Sequence, residues 1–155
     1  MSTVRDSSSR WRAIVSALVA GAAALVLVGC SAASSIATET VRGVPAGVTL
    51  TDDEQLGEQP VAVWTDNRET LTVVTWGSSS CPPVPTSLDL ESAMLLNLRF
   101  APPTDQVCTA DFAPTSHVFT TPDGISVSAV QLAIVFEARN GDEPVEVTVQ
   151  IRDPE

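Results

Sequence analysis

Two kinds of hydrophobic pattern divide this chain. Residues 13–28 form one nearly continuous apolar run. From residue 61 onward, short segments are rich in valine and threonine, and from Leu88 onward apolar and polar positions alternate with a period of two residues. The run is shorter than the roughly 20 apolar residues that a membrane span requires, whereas period-two alternation is typical of strands with one buried face. The pattern therefore predicts an N-terminal apolar segment followed by an all-β domain.

The β region contains several strand-like segments separated by turn residues. The predicted strand segments are Val61–Trp64, Thr70–Trp76, Leu88–Phe100 with a break near Glu91 and Ser92, Cys108–Thr120, Ile125–Phe136 and Val145–Ile151. The four or five residues after Trp64 predict a hairpin loop. About seven short strands of this kind predict a small antiparallel β-sandwich, immunoglobulin-like in style.

Three local features interrupt the alternation. The apolar phase changes near Ala129 and Val130, which indicates a β-bulge or a break between two strands. A helix over residues 129–138 is the alternative there, although the β-branched residues argue against it. Asn140-Gly141 predicts a turn, and the three prolines within residues 77–85 predict irregular chain.

The residues on either side of the apolar run indicate its role. Three arginines precede it: Arg5, Arg10 and Arg12. Gly29 and Cys30 follow it, and a charged start, an apolar core and a small-residue site are the layout of a secretory signal. Leu27-Val28-Gly29-Cys30 resembles the lipobox of bacterial lipoproteins. The resemblance implies that a diacylglyceryl group is added to Cys30 and that a peptidase cuts between Gly29 and Cys30.

This interpretation predicts three parts for the chain and a place for it in the cell. Residues 1–29 are the signal peptide, residues 30–43 the lipidated N-terminus and flexible tether, and residues 44–155 the β domain. The protein is then held by its lipid at the extracytoplasmic face of the cell membrane. An uncleaved N-terminal anchor, or a secreted protein in which Cys30 is incidental, remains the alternative.

The charge of the chain excludes one class of partner. Residues 1–29 carry three arginines and one aspartate, so the net charge of −11 for the whole chain becomes −13 without them. The chain contains no lysine. Such a surface is repelled by nucleic acid and by anionic headgroups, so we expect attachment through the lipid and no nucleic-acid partner.

Two cysteines remain beside Cys30. Cys81 and Cys108 form an even pair in a chain predicted to fold outside the cytoplasm, which predicts a disulfide. Two separate thiols are the alternative. The chain has no Cys-x-x-Cys motif and one histidine, so a zinc site lacks ligands, and we expect neither a metal nor a cofactor.

The most distinctive string of the β domain surrounds Cys81. Trp76-Gly77-Ser78-Ser79-Ser80-Cys81, together with Cys108-Thr109-Ala110-Asp111, resembles a small family of uncharacterised lipid-anchored or secreted actinobacterial proteins, over roughly residues 70–125. The family carries no assigned activity. Residues 76–80 are a candidate binding loop whose hydroxyls and amides suit an anion. The structural alternative, which we favour, is a Gly-Ser turn leading into a disulfide.

Other candidate sites are weaker. His117 is the single histidine, and with Asp111 and a serine of 78–80 it supplies the residue types of a nucleophilic triad, but the Gly-x-Ser-x-Gly elbow is missing. Asp52-Asp53-Glu54 with Glu58 could offer oxygens to calcium, without EF-hand spacing. Trp64 and Trp76 could form a carbohydrate platform if exposed, but their apolar neighbours favour a place in the core.

Two functions are compatible with these features. We favour a membrane-anchored, non-enzymatic module that binds an envelope protein or a small ligand, with no catalytic residue. The alternative is an envelope-modifying hydrolase that uses the serine loop, Asp111 and His117. A histidine ring about 3 Å from a serine hydroxyl in a cleft would favour the hydrolase.

Overall fold

The computed structural model of the protein describes residues 34–103, 107–126, 130–138 and 142–154. All of them belong to the compact unit Ser31–Glu155. The predicted signal peptide with its cleavage site, Gly29 and Cys30, lies outside the described residues, as do the predicted Asn140-Gly141 turn and residue 129 of the predicted bulge. The fold is nearly all β. Its strands are β1 (Glu39–Arg42), β2 (Val61–Thr65), β3 (Thr70–Gly77), β4 (Val84–Ser92), β5 (Leu95–Ala101), β6 (Ala113–Thr120), β7 (Gln131–Phe136) and β8 (Val145–Arg152). The described residues also contain one short α-helix, α1 (Asp52–Gln55), and a 3-10 turn at Asp66–Arg68.

The strands form one mixed sheet in the order β1-β6-β3-β2-β8-β7-β5-β4. In the described part of the chain, β2 pairs with β8 and β5 with β7 in parallel, and the other pairings are antiparallel. The predicted all-β class is therefore confirmed, whereas the antiparallel sandwich is not, because the sheet is mixed. Alternation along a strand reports which face is buried, but it carries no information on the direction of the neighbouring strand.

The sheet curls until its two ends approach each other. β6 and β5 are separated by four strands in the sheet order, yet the rings of His117 and Phe100 lie with their centroids 5.1 Å apart. At the edges, the amide of Ile36 before β1 donates to the carbonyl of Pro85 on β4, at 3.0 Å. The concave face is therefore enclosed.

The main core fills this concave face. Its buried residues come from β2, β3, β5, β6, β7 and β8 and from the residue just before β7, and they are Ala62, Trp64, Leu71, Val73, Leu96, Leu98, Phe100, Phe119, Val130, Leu132, Ile134 and Ile151. On the convex face, a smaller cluster forms where the segment before β2 covers the sheet. Val48 of that segment packs with Val61, Val63 and Val74, so β2 is buried on both faces.

The predicted tether extends too far. Residues 39–42, assigned above to the tether of residues 30–43, form β1 and pair with Thr115–Val118 of β6. Only Val41 in this strand is apolar, so the alternation that reveals other strands is missing here. β1 is held by its backbone ladder to β6, and the described domain begins before residue 44.

Several local predictions can be compared with the described residues. The β2–β3 hairpin is confirmed, with residues 66–69 as its loop. β7 is a strand over Gln131–Phe136, so the helical alternative is wrong there. β4 begins at Val84, within a stretch predicted to be irregular; Pro85 is tolerated because β4 lies at a sheet edge, where a missing N–H breaks no ladder.

Candidate functional site

The candidate binding loop is joined to the segment before β6 by a disulfide. Cys81 and Cys108 are bonded, with their Cα atoms 5.5 Å apart, which confirms the predicted pairing. The bridge ties the loop that follows β3 to residues 108–112. Gly77, the last residue of β3, lies opposite Ala113 on β6, so both segments leave the sheet at the same point.

Hydroxyl groups on the two segments bond to one another beside this disulfide. Ser78 Oγ lies 2.9 Å from Thr109 Oγ1, and Ser80 Oγ accepts the backbone N–H of Thr109 at 2.9 Å. Ser78 Oγ also lies 3.3 Å from Ser80 Oγ. We call this group, with Ser79 and Asp111, the hydroxyl cluster.

Asp111 supplies the negative charge of the hydroxyl cluster. Its carboxylate accepts the backbone N–H of Ser79 at 3.1 Å and the hydroxyl of Thr109. Hydrogen bonds from Ser79, and then from Thr109, lower the pKa of Asp111 to about 2, so the group is ionised at neutral pH. Asp111 therefore occupies the place that an external anion would take, which favours the structural interpretation of the loop.

His117 lies away from the hydroxyl cluster. The residue is completely buried on the concave face, opposite Val73 of β3. Its Nε2 is 3.3 Å from Thr75 Oγ1, and its ring meets Phe100 edge-on. Burial lowers the pKa of His117 to about 4, so the imidazole is neutral at physiological pH. The structure thus brings Asp111 and the serines together but places His117 in the core.

The two tryptophans lie on opposite faces of the sheet. Trp64 is buried in the main core, with 3% of its surface exposed. Trp76 packs against the convex cluster, close to Gly57 and the exposed ring of Phe112. They therefore do not form a joint platform.

The acidic residues 52–58 are organised by a helix cap. Thr51 caps α1, with its hydroxyl accepting the N–H of Glu54 while the Glu54 carboxylate accepts the N–H of Thr51 at 2.8 Å. The same carboxylate accepts a bond from Arg152 at 3.0 Å. Within the described residues, no group of three His, Cys, Asp or Glu side chains is placed to hold a metal ion.

A cleft between β2 and β8 is the site that the sequence did not predict. It measures about 390 Å³ and is bordered by Gln59–Ala62 on one side and Thr148–Gln150 on the other, with Asp53 and Glu58 at its rim. Two positions of β2 pair with β8, so the strands separate beyond them. Pro60 is the one local signal, since it cannot donate a ladder bond.

Comparison with protein-family models, with curated proteins and with solved structures gives no match. In the described part of the chain, no helix is long and apolar enough to cross a membrane.

Proposed function

We propose that this protein is a lipid-anchored, non-enzymatic binding module on the extracytoplasmic face of a bacterial cell membrane. The anchor is supported by the order of the arginines, the apolar run, Gly29 and Cys30. The resemblance of the residues around Cys81 and Cys108 to lipid-anchored or secreted actinobacterial proteins supports the same location.

The placement of His117 is the observation that carries the choice against an enzyme. A general base must reach its nucleophile within about 3 Å, directly or through one water. His117 instead bonds to Thr75 in the core, while Ser78, Ser80 and Asp111 are engaged with Thr109. The serines and Asp111 thus join the loop after β3 to the segment before β6. The open cleft between β2 and β8 is a surface suited to binding.

The anchor is tested by replacing the predicted lipidation site. We expect Cys30→Ser to accumulate as the uncleaved precursor and to lose lipid labelling, because the cysteine sulfur is the acceptor. Ser31→Ala, one residue further, is the control and should be processed like the wild type. For both variants, membrane fractionation measures retention and incorporation of radiolabelled fatty acid measures lipidation. Normal processing and retention of Cys30→Ser would contradict the anchor.

The absence of hydrolase activity is tested with a fluorophosphonate probe, which labels activated serines. We expect the wild-type protein to be labelled no more than a variant in which Ser78, Ser79 and Ser80 are all alanine. Labelling that disappears in this variant and in His117→Leu would support the hydrolase instead.

The binding function is tested by chemical cross-linking in intact cells. A binding module gives a discrete cross-linked product, and the absence of such a product with the anchored protein would count against the proposal.

A further inference from the structure

The edge of β8 is left open by the short pairing with β2. Ala62 lies opposite Ile151 and Val63 opposite Arg152, and the pairing ends there. β8 starts six residues earlier, at Val145, and in the described residues its neighbour over that stretch is β7 alone. Pro60 precedes β2 and has no N–H with which to continue the ladder. The cleft of about 390 Å³ lies where the two strands diverge.

Backbone groups of β8 point into this cleft. Ile151 donates its N–H to the carbonyl of Val130, which lies on the β7 side. Because the N–H and C=O of successive strand residues point to opposite sides, the groups of Gln150, Thr148 and Glu146 point away from β7. Thr148 and Gln150 line the cleft, so the open edge offers hydrogen-bonding groups at the spacing of a strand ladder.

The charge at the cleft is negative. Its ionisable lining consists of Asp53, Glu54, Glu58 and Arg152. Arg152 is paired with Glu54 at 3.0 Å, so the carboxylates of Asp53 and Glu58 are left to set the sign of the local potential. Glu146 is exposed further along β8, next to the same open edge.

We infer that the cleft receives an extended peptide segment rich in lysine or arginine, which adds to β8 as a further strand. This inference rests on the proposed binding function and names the class of partner. Strand addition draws its affinity from main-chain hydrogen bonds, while side chains select the sequence. The acidic rim selects a basic segment. A second copy of this chain is disfavoured, because it brings an equally acidic surface to the cleft.

The test uses the lipidated protein in neutral detergent micelles and a fluorescent octapeptide of alternating lysine and valine. We expect saturable binding by fluorescence anisotropy, with slower hydrogen exchange at the amides of Thr148 and Gln150. Neutralising the rim with Asp53→Asn and Glu58→Gln weakens binding about fivefold at low salt. The matched pair Glu91→Gln and Asp123→Asn removes the same charge elsewhere and leaves the affinity within about twofold.

Four outcomes would overturn the inference. They are the absence of binding, equal loss of affinity in both charge pairs, equal binding of a peptide N-methylated at alternate amides, and protection of the same amides by self-association without peptide. The methylated peptide keeps its charge but cannot complete a ladder, so it separates strand addition from simple attraction. If the peptide does not bind while cells still give a discrete cross-linked product, strand addition is contradicted and the proposed binding function is retained. If the peptide does not bind and no cross-linked product forms, both proposals are contradicted.

Discussion

His117 is a neutral imidazole enclosed by the curled sheet. None of its surface is exposed, Thr75 bonds to its Nε2, and the ring of Phe100 packs against it. A charged imidazolium in this position would lose its hydration without a compensating carboxylate among the contacts just named. Protonation of the buried imidazole therefore destabilises the folded state.

The stability of the domain should depend on pH through His117. Because burial lowers its folded-state pKa from 6.5 to about 4, the unfolded chain binds the proton first. The contribution of neutral His117 to the free energy of unfolding is then complete above pH 6.5 and decreases as the pH falls. Below about pH 4 the loss from this group levels off at roughly 3 kcal/mol. Urea unfolding at pH 7.5, 5.5 and 4.5 measures it.

His117→Leu is the control for this dependence. The chain has one histidine, so the variant should be nearly flat between pH 7.5 and 5.5. An equal slope in the variant and the wild type over that interval would show that another group is responsible.

Gly57 is required by its backbone and by its neighbours. Its φ is +74°, and an added Cβ would lie 2.6 Å from side-chain atoms of Trp76 and Phe112. Phe112 is exposed and can turn away, but Trp76 is packed on the convex cluster. Gly57→Ala should therefore lower the unfolding free energy by about 2–4 kcal/mol, combining backbone strain with overpacking.

Gly47→Ala is a matched control for Gly57→Ala. Gly47 has a φ of +89° and nothing within 4 Å of an added Cβ, so the change should cost roughly 1 kcal/mol from backbone strain alone. Thermal and urea unfolding compare the two variants. Equal losses would mean that the Trp76 contact does not contribute.

At the scale of elements, the disulfide and the hydroxyl cluster form one unit. Cys81–Cys108 closes a loop with a sequence separation of 27, and Ser80 and Thr109, each next to a bridge cysteine, bond to each other. Two loops at the end of the sheet are thereby fixed as a single surface.

The double variant Cys81→Ala and Cys108→Ala should lose about 3–4 kcal/mol of unfolding free energy, because the unfolded chain is no longer constrained. The bonds to Asp111 should loosen as well, so the pKa of this carboxyl should rise from about 2 toward its ordinary value of 3.8. Urea unfolding and an NMR titration of the carboxyl carbon measure the two effects. An unchanged pKa would show that the cluster holds without the bridge.

The same scale shows what alternation can predict. β8 follows from its apolar alternation, because one of its faces packs on the core. The β2–β3 hairpin follows instead from two runs rich in valine and threonine around a polar turn, since both strands are buried on both faces. β1 does not, since Val41 is its single apolar residue and its ladder to β6 is a long-range contact. The parallel pairing of β5 with β7 is equally hidden, because β6 lies between them in sequence but elsewhere in the sheet.

The candidate sites divide in the same way. The even pair Cys81 and Cys108 predicts the bridge, and the bridge places the serine loop beside Thr109. The burial of His117 and the cleft beside Thr148 depend on which strands become neighbours. The local sequence pattern does not indicate which strands become neighbours, so neither the burial of His117 nor the cleft could be predicted from it.

At the scale of the whole molecule, the position of Ile36 limits how far the β domain can lie from the lipid proposed on Cys30. Its amide is bonded to Pro85, and six residue steps separate it from Cys30. Fully extended, that length of chain reaches at most about 20 Å. The lipid proposed on Cys30 would therefore hold the β domain close to the bilayer, within reach of the basic segments of neighbouring envelope proteins.

The proposed lipid anchor is tested most directly by the N-terminus of the mature protein. Intact-mass spectrometry of protein extracted from bacterial membranes measures it. We predict a chain that begins at Cys30, contains the Cys81–Cys108 bridge and carries the added mass of a diacylglyceryl group. A chain of the full 16.2 kDa, or one that begins at another residue without lipid, would contradict the anchored module.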